Sequence, residues 1–343
     1  MDSSIMPQNK KPVKQRLAII TSGGDAPGMN ASIRAITLKA LQNGYDVIGF
    51  IAGFHGLINA EFIQLDLKSV DNIIHKGGTI LKTARCKDMF NEQGVKKASC
   101  TLNNLDIESL IVIGGDGSFK GAQALSEYWH GQIIGIPGTI DNDINGTDQT
   151  IGFWTAIDTA LDCIDKIRDT ADAFDRIFVI EVMGRDCGFI AMESGIASGA
   201  QQIICHELIS DEADFIQQLL ISIKKASKQS YPQSYVIVVA ENALSFSTAE
   251  LAKKISEYTQ VDTRSAILGY VQRGGAPVAM DRVLATQLGI KAVEAINKQK
   301  RNLMIGMSKG EIITFPLSQT GLKNKTNKDL IKRLEQFSFN LTI

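Results

Sequence analysis

The sequence predicts an α/β protein built on doubly wound, mostly parallel sheets, and three observations carry that prediction. Short apolar runs alternate with segments of helical periodicity along most of the chain. Clusters of glycine, acid and arginine recur just after the apolar runs, where an open α/β sheet presents the carboxyl ends of its strands. At 343 residues the chain also exceeds a comfortable single core, so two domains are expected.

In order along the chain, Leu17 to Thr21 reads as a buried strand, broken by Ser22-Gly23-Gly24-Asp25-Ala26-Pro27-Gly28 before the helical Met29 to Asn43. Such a turn suits phosphate, because glycine lets the backbone approach and a helix N-terminus favours negative charge. It has neither the GxxxxGK[ST] nor the GxGxxG pattern, and a purely structural connection explains it equally well. Val47 to Phe50 follows as a strand, Gly53 to Gly56 as a turn, and Ser69 to His75 as a short helix ending at Gly77-Gly78. Arg85, after that bend, is either a phosphate ligand or one more solvated arginine.

Leu110 to Ile113 is a buried strand running into Gly114-Gly115-Asp116-Gly117-Ser118, with helix from Phe119 to Trp129. Asp116 lies where a phosphate-bound Mg²⁺ needs an oxygen ligand, or else caps a tight turn. The strand Ile133 to Ile136 then leads into the polar crest Pro137 to Asp148, with Asp141 and Asp143 two residues apart. One carboxylate there can face a substrate hydroxyl while the other faces a metal or a positioning partner; the bland reading is Asx turns. Gly152 to Asp172 is a long amphipathic helix carrying Arg168 at its far end, and Arg176 to Val182 a buried strand ending in Met183-Gly184-Arg185-Asp186-Cys187-Gly188. Arg185 is placed either for bidentate phosphate recognition or for a surface ion pair.

Helix from Phe189 to Ser198, Ile203 to Cys205, Ala213 to Ser227, Tyr235 to Ala240 and Thr248 to Tyr258 continue the alternation, with Glu241 at a strand end. Val261 to Leu268 leads to Gly269-Tyr270-Val271-Gln272-Arg273-Gly274-Gly275-Ala276-Pro277 and a helix through about Asn297, with Arg264 and Arg273 bracketing the segment. The remainder predicts one short strand and a charged helix near Asn327 to Gln336. All candidate chemistry is expected on one edge of the sheets.

Composition removes several classes of function. A net charge of -1 leaves no footprint for nucleic acid or an anionic membrane. No apolar run approaches the roughly 20 residues of a spanning helix, and Met1 to Arg16 lacks the apolar core of a secretory signal. Five scattered cysteines without metal spacing fit a reducing, cytoplasmic setting.

Taken together, Gly23 to Asn30, Gly114 to Ser118, Pro137 to Asp143, Met183 to Arg185 and Gln272 to Gly275 resemble the ATP-dependent 6-phosphofructokinase family of bacterial type, in order and spacing from about Leu17 to Lys300. The resemblance implies two Rossmann-like domains with the active site in the cleft between them, residues 1–152 plus 273–323 binding nucleotide and 153–272 plus 324–343 binding sugar phosphate. It implies transfer of the γ-phosphoryl of ATP to the 1-hydroxyl of fructose 6-phosphate with Mg²⁺. Asp141 would be the general base, Asp143 its support and Thr139 a neighbour of the transferring phosphoryl. Arg185 would stabilise the transferred charge, and Asp116 would hold the metal. Gly24, Arg85, Cys86 and Gly115, Asp116, Gly117 and Ser118 would cradle ATP. Arg176, Arg264, Tyr270 and Arg273 would grip the sugar phosphate, with Met183, Gly184 and Glu241 shaping the sugar pocket.

In that family the arginines matching Arg176 and Arg264 come from a neighbouring subunit, so a homotetramer with shared sites is implied. Pyrophosphate-using relatives carry Asp at Gly117 and Lys at Gly138; both are glycine here, which favours ATP. Tyr270 replaces a common histidine and cannot become cationic. Leu38, Ser230, Pro232 and Gln233 stand where a basic effector pocket has Arg or Lys, and Gln201 stands on a glutamate position. Arg34 and Arg168 alone match, so weak or absent control by ADP and phosphoenolpyruvate is expected. The rivals are a pyrophosphate-dependent enzyme, an NAD or lipid kinase with a GGDG turn, and a non-catalytic nucleotide-sensing subunit.

Overall fold

The computed structural model describes residues 15–227 and 235–321, with residue 332. Two sheets organise these residues. The larger has seven strands in the order β11-β10-β5-β4-β1-β2-β3. Its centre is formed by β1 (Arg16–Ser22), β4 (Ile107–Gly114) and β5 (Gln132–Pro137), all parallel. Beside β1 lies β2 (Asp46–Phe50), parallel, and then β3 (Phe62–Gln64), antiparallel. The other edge is β10 (Leu303–Ser308) and β11 (Glu311–Pro316), antiparallel to each other, so the expected single strand after Asn302 is a hairpin. Central runs such as Ile111–Val112–Ile113 are fully buried because helices cover both faces, which is why they read as unbroken apolar runs.

The smaller sheet is all parallel, in the order β7-β8-β6-β9. It comprises β6 (Ile177–Val182), β7 (Gln202–Ile204), β8 (Tyr235–Ala240) and β9 (Thr263–Ile267). The helices between strands are α1 (Met29–Gln42), α2 (Phe54–Asn59), α3 (Glu92–Asn104), α4 (Asp116–Ser126), α5 (Phe153–Phe174), α6 (Phe189–Ala197), α7 (Glu212–Ser227), α8 (Thr248–Thr259) and α9 (Ala279–Asn297). The long α5 carries the chain from the large sheet to the small one, and α9 brings it back. Gly289 on α9 allows the close return: a Cβ there would lie 3.0 Å from the Cβ of Ala35 on α1.

Three local expectations are corrected. The turn at Gly53 to Gly56 is the start of α2, and Gly56 is glycine because a Cβ there would strike the Ile51 carbonyl. Ser69 to His75 is a run of turns with no helix, since Asp66 and Ser69 bond reciprocally to each other's backbone amides and Asn72 has φ 53°. The turn reading of Asp116 gives way to helix: α4 begins there, with Gly115 as N-cap. Helix α3 was unforeseen although Val95, Ala98, Ser99 and Leu102 line its buried face and Asn91 caps it through the Gly94 amide. The charged helix expected at Asn327 to Gln336 lies outside the described residues. Among the described residues no helix is long and apolar enough to cross a membrane.

Candidate active site

Three adjacent strand ends of the large sheet make one wall of a site. After β1, Gly23 adopts φ 91° and sits against Ser118; after β4, a Cβ on Gly114 would lie 2.5 Å from both Ser118 Oγ and the Ser22 carbonyl. These turns close only because the glycines have no side chain. The start of α4 has no side-chain cap; the Ser118 amide already donates to the Gly115 carbonyl at 3.0 Å, which leaves the Asp116 and Gly117 amides to face an anion. Asp116 accepts from Lys120 Nζ at 2.6 Å through Oδ2, while its Oδ1 is buried and, among the described residues, accepts no hydrogen bond. The Ser118 hydroxyl is buried and unpartnered in the same way. A side chain at Gly117 would enter open space; one at Gly138 would press on Ile113 and Met29 at 3.0 and 3.2 Å.

The crest after β5 is pinned from outside. Ile151 donates its amide to the Pro137 carbonyl at 2.9 Å, Thr150 Oγ1 donates to the Thr139 carbonyl at 2.6 Å, and the Asp141 amide donates to Thr139 Oγ1 at 3.2 Å. The Asp141 side chain, 9% exposed, has Oδ1 buried and, among the described residues, without a hydrogen bond, 3.9 Å from Arg273 Nη2. Burial raises its pKa, Arg273 opposes that, and Glu241 adds to it. Burial, then the Asp141 charge, pushes Asp143 up to about 6 against the pull of Arg185. Both carboxylates are therefore held in a form readier to take a proton than an ordinary aspartate.

The facing wall comes from the small sheet. After β6 the Met183 amide donates to Gln272 Oε1 at 2.8 Å, and the Gly184 and Arg185 amides donate to a single oxygen of Glu241 at 3.0 and 2.6 Å. Gly184 has φ 149°, where a Cβ would lie 2.5 Å from the Cys187 carbonyl, and Arg185 itself has φ 59°. A left-handed arginine is costly, and the Glu241 clamp on its amide maintains it. The Arg185 side chain, 58% exposed, then reaches back to Asp143 at 3.7 Å and Asp186 at 3.8 Å. Arg273 also joins the walls: its Nη1 donates to the Asp25 carbonyl at 3.1 Å, over Gly24, where a Cβ would lie 2.7 Å from the guanidinium. Gln272 was missed as a site residue because an uncharged side chain in a glycine-rich loop carries no signal until its burial is seen.

Arg85 is exposed, and Cys86 packs partly buried beside the core beneath α3 and α4. Tyr270 is 83% exposed on the short helix that ends at Arg273. Arg176 precedes β6 and Arg264 is the second residue of β9, so both sit at the amino ends of their strands, opposite Arg185. Both pair with Asp262, at 2.6 Å and 3.2 Å, and Arg176 also stacks on Phe174. The expectation that all candidate chemistry shares one edge is thus corrected: a strand's first residues and its last are separated by the sheet's whole width. Of the residues compared with an effector pocket, Arg168 donates to the Ser198 carbonyl, Gln201 bonds to the backbone of β8, and Leu38 packs on the core. Ser230, Pro232 and Gln233 lie outside the described residues.

Comparison with known proteins gives a consistent picture. The phosphofructokinase family model matches residues 16–296. An ATP-dependent 6-phosphofructokinase 2 of Bacteroides thetaiotaomicron is 45% identical over 324 residues, covering 94% of this chain and 98% of the relative. An ATP-dependent 6-phosphofructokinase 1 of Thermus thermophilus is 45% identical over 322 residues, with the same coverage. Among solved structures, the Pichia pastoris phosphofructokinase in the T-state superposes with a TM-score of 0.84 at 33% identity over 96% of this chain, which spans 37% of that longer chain. A pyrophosphate-dependent phosphofructokinase of Marinobacter aquaeolei has a TM-score of 0.77 at 21% identity and covers 90% of this chain and 84% of that one, a likeness of fold alone.

Proposed function

The chain belongs to the phosphofructokinase family, and from that membership we infer that it transfers the γ-phosphoryl of ATP to the 1-hydroxyl of fructose 6-phosphate. The products are fructose 1,6-bisphosphate and ADP, in the committed step of glycolysis. The observation that carries the reading is Asp141: a buried carboxylate with an unspent acceptor oxygen, held between a phosphate-type glycine wall and two arginines.

Phosphoryl transfer needs in-line positioning and neutralised charge more than covalent help. In this reading Asp141 accepts the 1-hydroxyl proton as that oxygen bonds to the γ-phosphorus, and the bond from the γ-phosphorus to its bridging oxygen breaks to release ADP. Thr139 holds the Asp141 amide and borders the transferring group. Arg185, whose side chain is loosely held by Asp143 and Asp186, is free to turn onto the developing charge. Asp143 keeps Arg185 near, and the charge of Asp141 raises Asp143's own affinity for a proton. The α4 amides with Ser118, and Gly24 and Gly115, cradle the nucleotide, with Arg85 and Cys86 on its outer side.

Mg²⁺ fits Asp116, whose buried Oδ1 lacks any hydrogen bond and is the kind of oxygen a hard cation takes. When bound, the ion supplies positive charge to the ATP phosphates. Each sheet with its helices forms a domain, residues 1–152 plus 273–323 and 153–272 plus 324–343, with the site between. Arg176 and Arg264, at the far end of the small sheet, serve the sugar phosphate of a neighbouring subunit in a homotetramer, where Arg273 and Tyr270 of the other subunit meet it. Exposed Ile267, Tyr270, Val271, Met280 and Val283 along one stretch of chain support such association. ATP chemistry and five free cysteines suit the cytoplasm.

A coupled assay offering ATP and pyrophosphate in turn, on wild type and Asp141→Asn, tests the reading. ATP supports turnover, pyrophosphate does not, and the variant loses roughly 10²-fold or more in kcat. A pyrophosphate preference, or a near-normal Asp141→Asn, would falsify it. In the donor site, Gly117→Asp has room for its side chain but places a carboxylate against the nucleotide phosphates, so ATP kcat/KM falls while the fold is kept.

A further inference from the structure

Three loops of the site meet at one carboxylate that no part of the mechanism uses. Asp281, the third residue of α9, is fully buried. It accepts from the Gly152 amide at 2.9 Å through Oδ1, and from the Thr155 amide and hydroxyl at 2.8 and 2.6 Å through Oδ2. Gly152 is the N-cap of α5 at φ 101° and has no capping side chain of its own, so a residue 129 positions away caps that helix.

The surroundings tie this cap to each wall of the cleft. Thr150 and Ile151, just before Gly152, hold the carbonyls of Thr139 and Pro137, so the start of α5 sets the height of the Asp141 crest. The Gly23–Gly28 turn rests on the same point: a Cβ on Gly28 would lie 2.6 Å from Ile151 and 3.6 Å from Asp281, and one on Gly152 would lie 2.7 Å from Ala26. Thr155 Oγ1 also accepts from the Val278 amide at 3.1 Å, which ties down the chain five residues after Arg273. One hydroxyl thus donates to Asp281 and accepts from the Arg273 loop.

We propose that Asp281, through Thr155, is a positioning residue that holds the Asp141 crest and the Arg273 loop in register. The inference rests on the phosphotransfer reading. A buried carboxylate is an expensive way to cap a helix, since a serine at the cap position does this locally. What the distant carboxylate adds is a rigid link between two segments that carry the base and its arginine, and small misplacements of such groups are costly to rate.

The test compares Thr155→Val, which keeps shape and loses the hydroxyl, with Thr155→Ser, which restores it, and with Asp281→Asn. For Thr155→Val kcat falls about tenfold well below its Tm, with the KM for ATP within about twofold of wild type. Thr155→Ser recovers most of the loss, and Asp281→Asn falls at least as far as Thr155→Val. If Thr155→Val lowers Tm but leaves kcat unchanged, or if Thr155→Ser fails to recover it, the link is only a structural cap and the proposal is overturned. Should Asp281→Asn fail to fold, the threonine pair decides alone. Absence of wild-type turnover would instead sink the phosphotransfer reading, so the two failures are distinct.

Discussion

The two ends of the small sheet treat charge in opposite ways. At the carboxyl end, which faces the large sheet, Arg185 meets Asp143 only at 3.7 Å, and the large sheet's Asp141 and Asp116 keep buried oxygens that, among the described residues, accept no hydrogen bond. At the amino end, Arg176 and Arg264 share Asp262 at close range and lie half-buried or exposed. Unsatisfied buried acceptors cost folding free energy, whereas solvated ion pairs cost and contribute little. In the proposed function the expensive end is where a ligand would complete the hydrogen bonding, and the cheap end is a surface that would meet a neighbouring subunit.

The largest effect that would sharpen this contrast is at Asp141. Its folded pKa is raised, so the ionised form burdens the fold, and stability is lost as pH rises through that raised value. Asp141→Asn therefore lowers kcat roughly 10²-fold or more while raising Tm, and the gain in a thermal melt grows as pH rises above the ordinary aspartate pKa. A fall in Tm at neutral pH would break the contrast.

At the amino end the loss should be one of affinity. Arg176→Ala or Arg264→Ala raises the KM for fructose 6-phosphate roughly 10- to 100-fold, the value of a charge-assisted hydrogen bond, and changes Tm little. Mixed with Asp141→Asn subunits, either variant recovers part of the activity if sites are shared, because some sites then combine intact halves. No recovery after subunit exchange would show that each site is complete within one chain.

A subtler effect concerns pH. Burial holds the pKa of Asp141, the base, above its ordinary value, so the acid limb of kcat lies above the ordinary carboxylate range. Arg273 pulls the Asp141 pKa down, so Arg273→Met moves the limb to higher pH in a pH–rate profile. A limb that stays in place would separate Arg273 from the base. The smallest effect is expected from effectors: ADP or phosphoenolpyruvate shifts the fructose 6-phosphate saturation curve by less than about twofold, since neutral residues stand at most positions of a basic pocket. A large shift would refute this.

Local chemistry wrote much of the site into the chain. Strand, glycine turn and helix follow one another at β1 and β4 because only glycine closes those turns; Asp116, Asp141 and Arg185 stand at such strand ends, but their places left bland readings open, and the expected roles came from the family resemblance. The alternation of elements, and with it the α/β class, was legible for the same reason: burial on both faces leaves unbroken apolar runs. What local pattern did not contain is distance. That Glu241 clamps the Arg185 amide, that Gln272 holds Met183, that Arg176 and Arg264 sit at the strand ends opposite Arg185, and that Asp281 caps α5 from 129 residues away were decided by packing alone. Turn geometry depends on neighbours in sequence; a buried hydrogen bond depends on which strands and helices the core brings together.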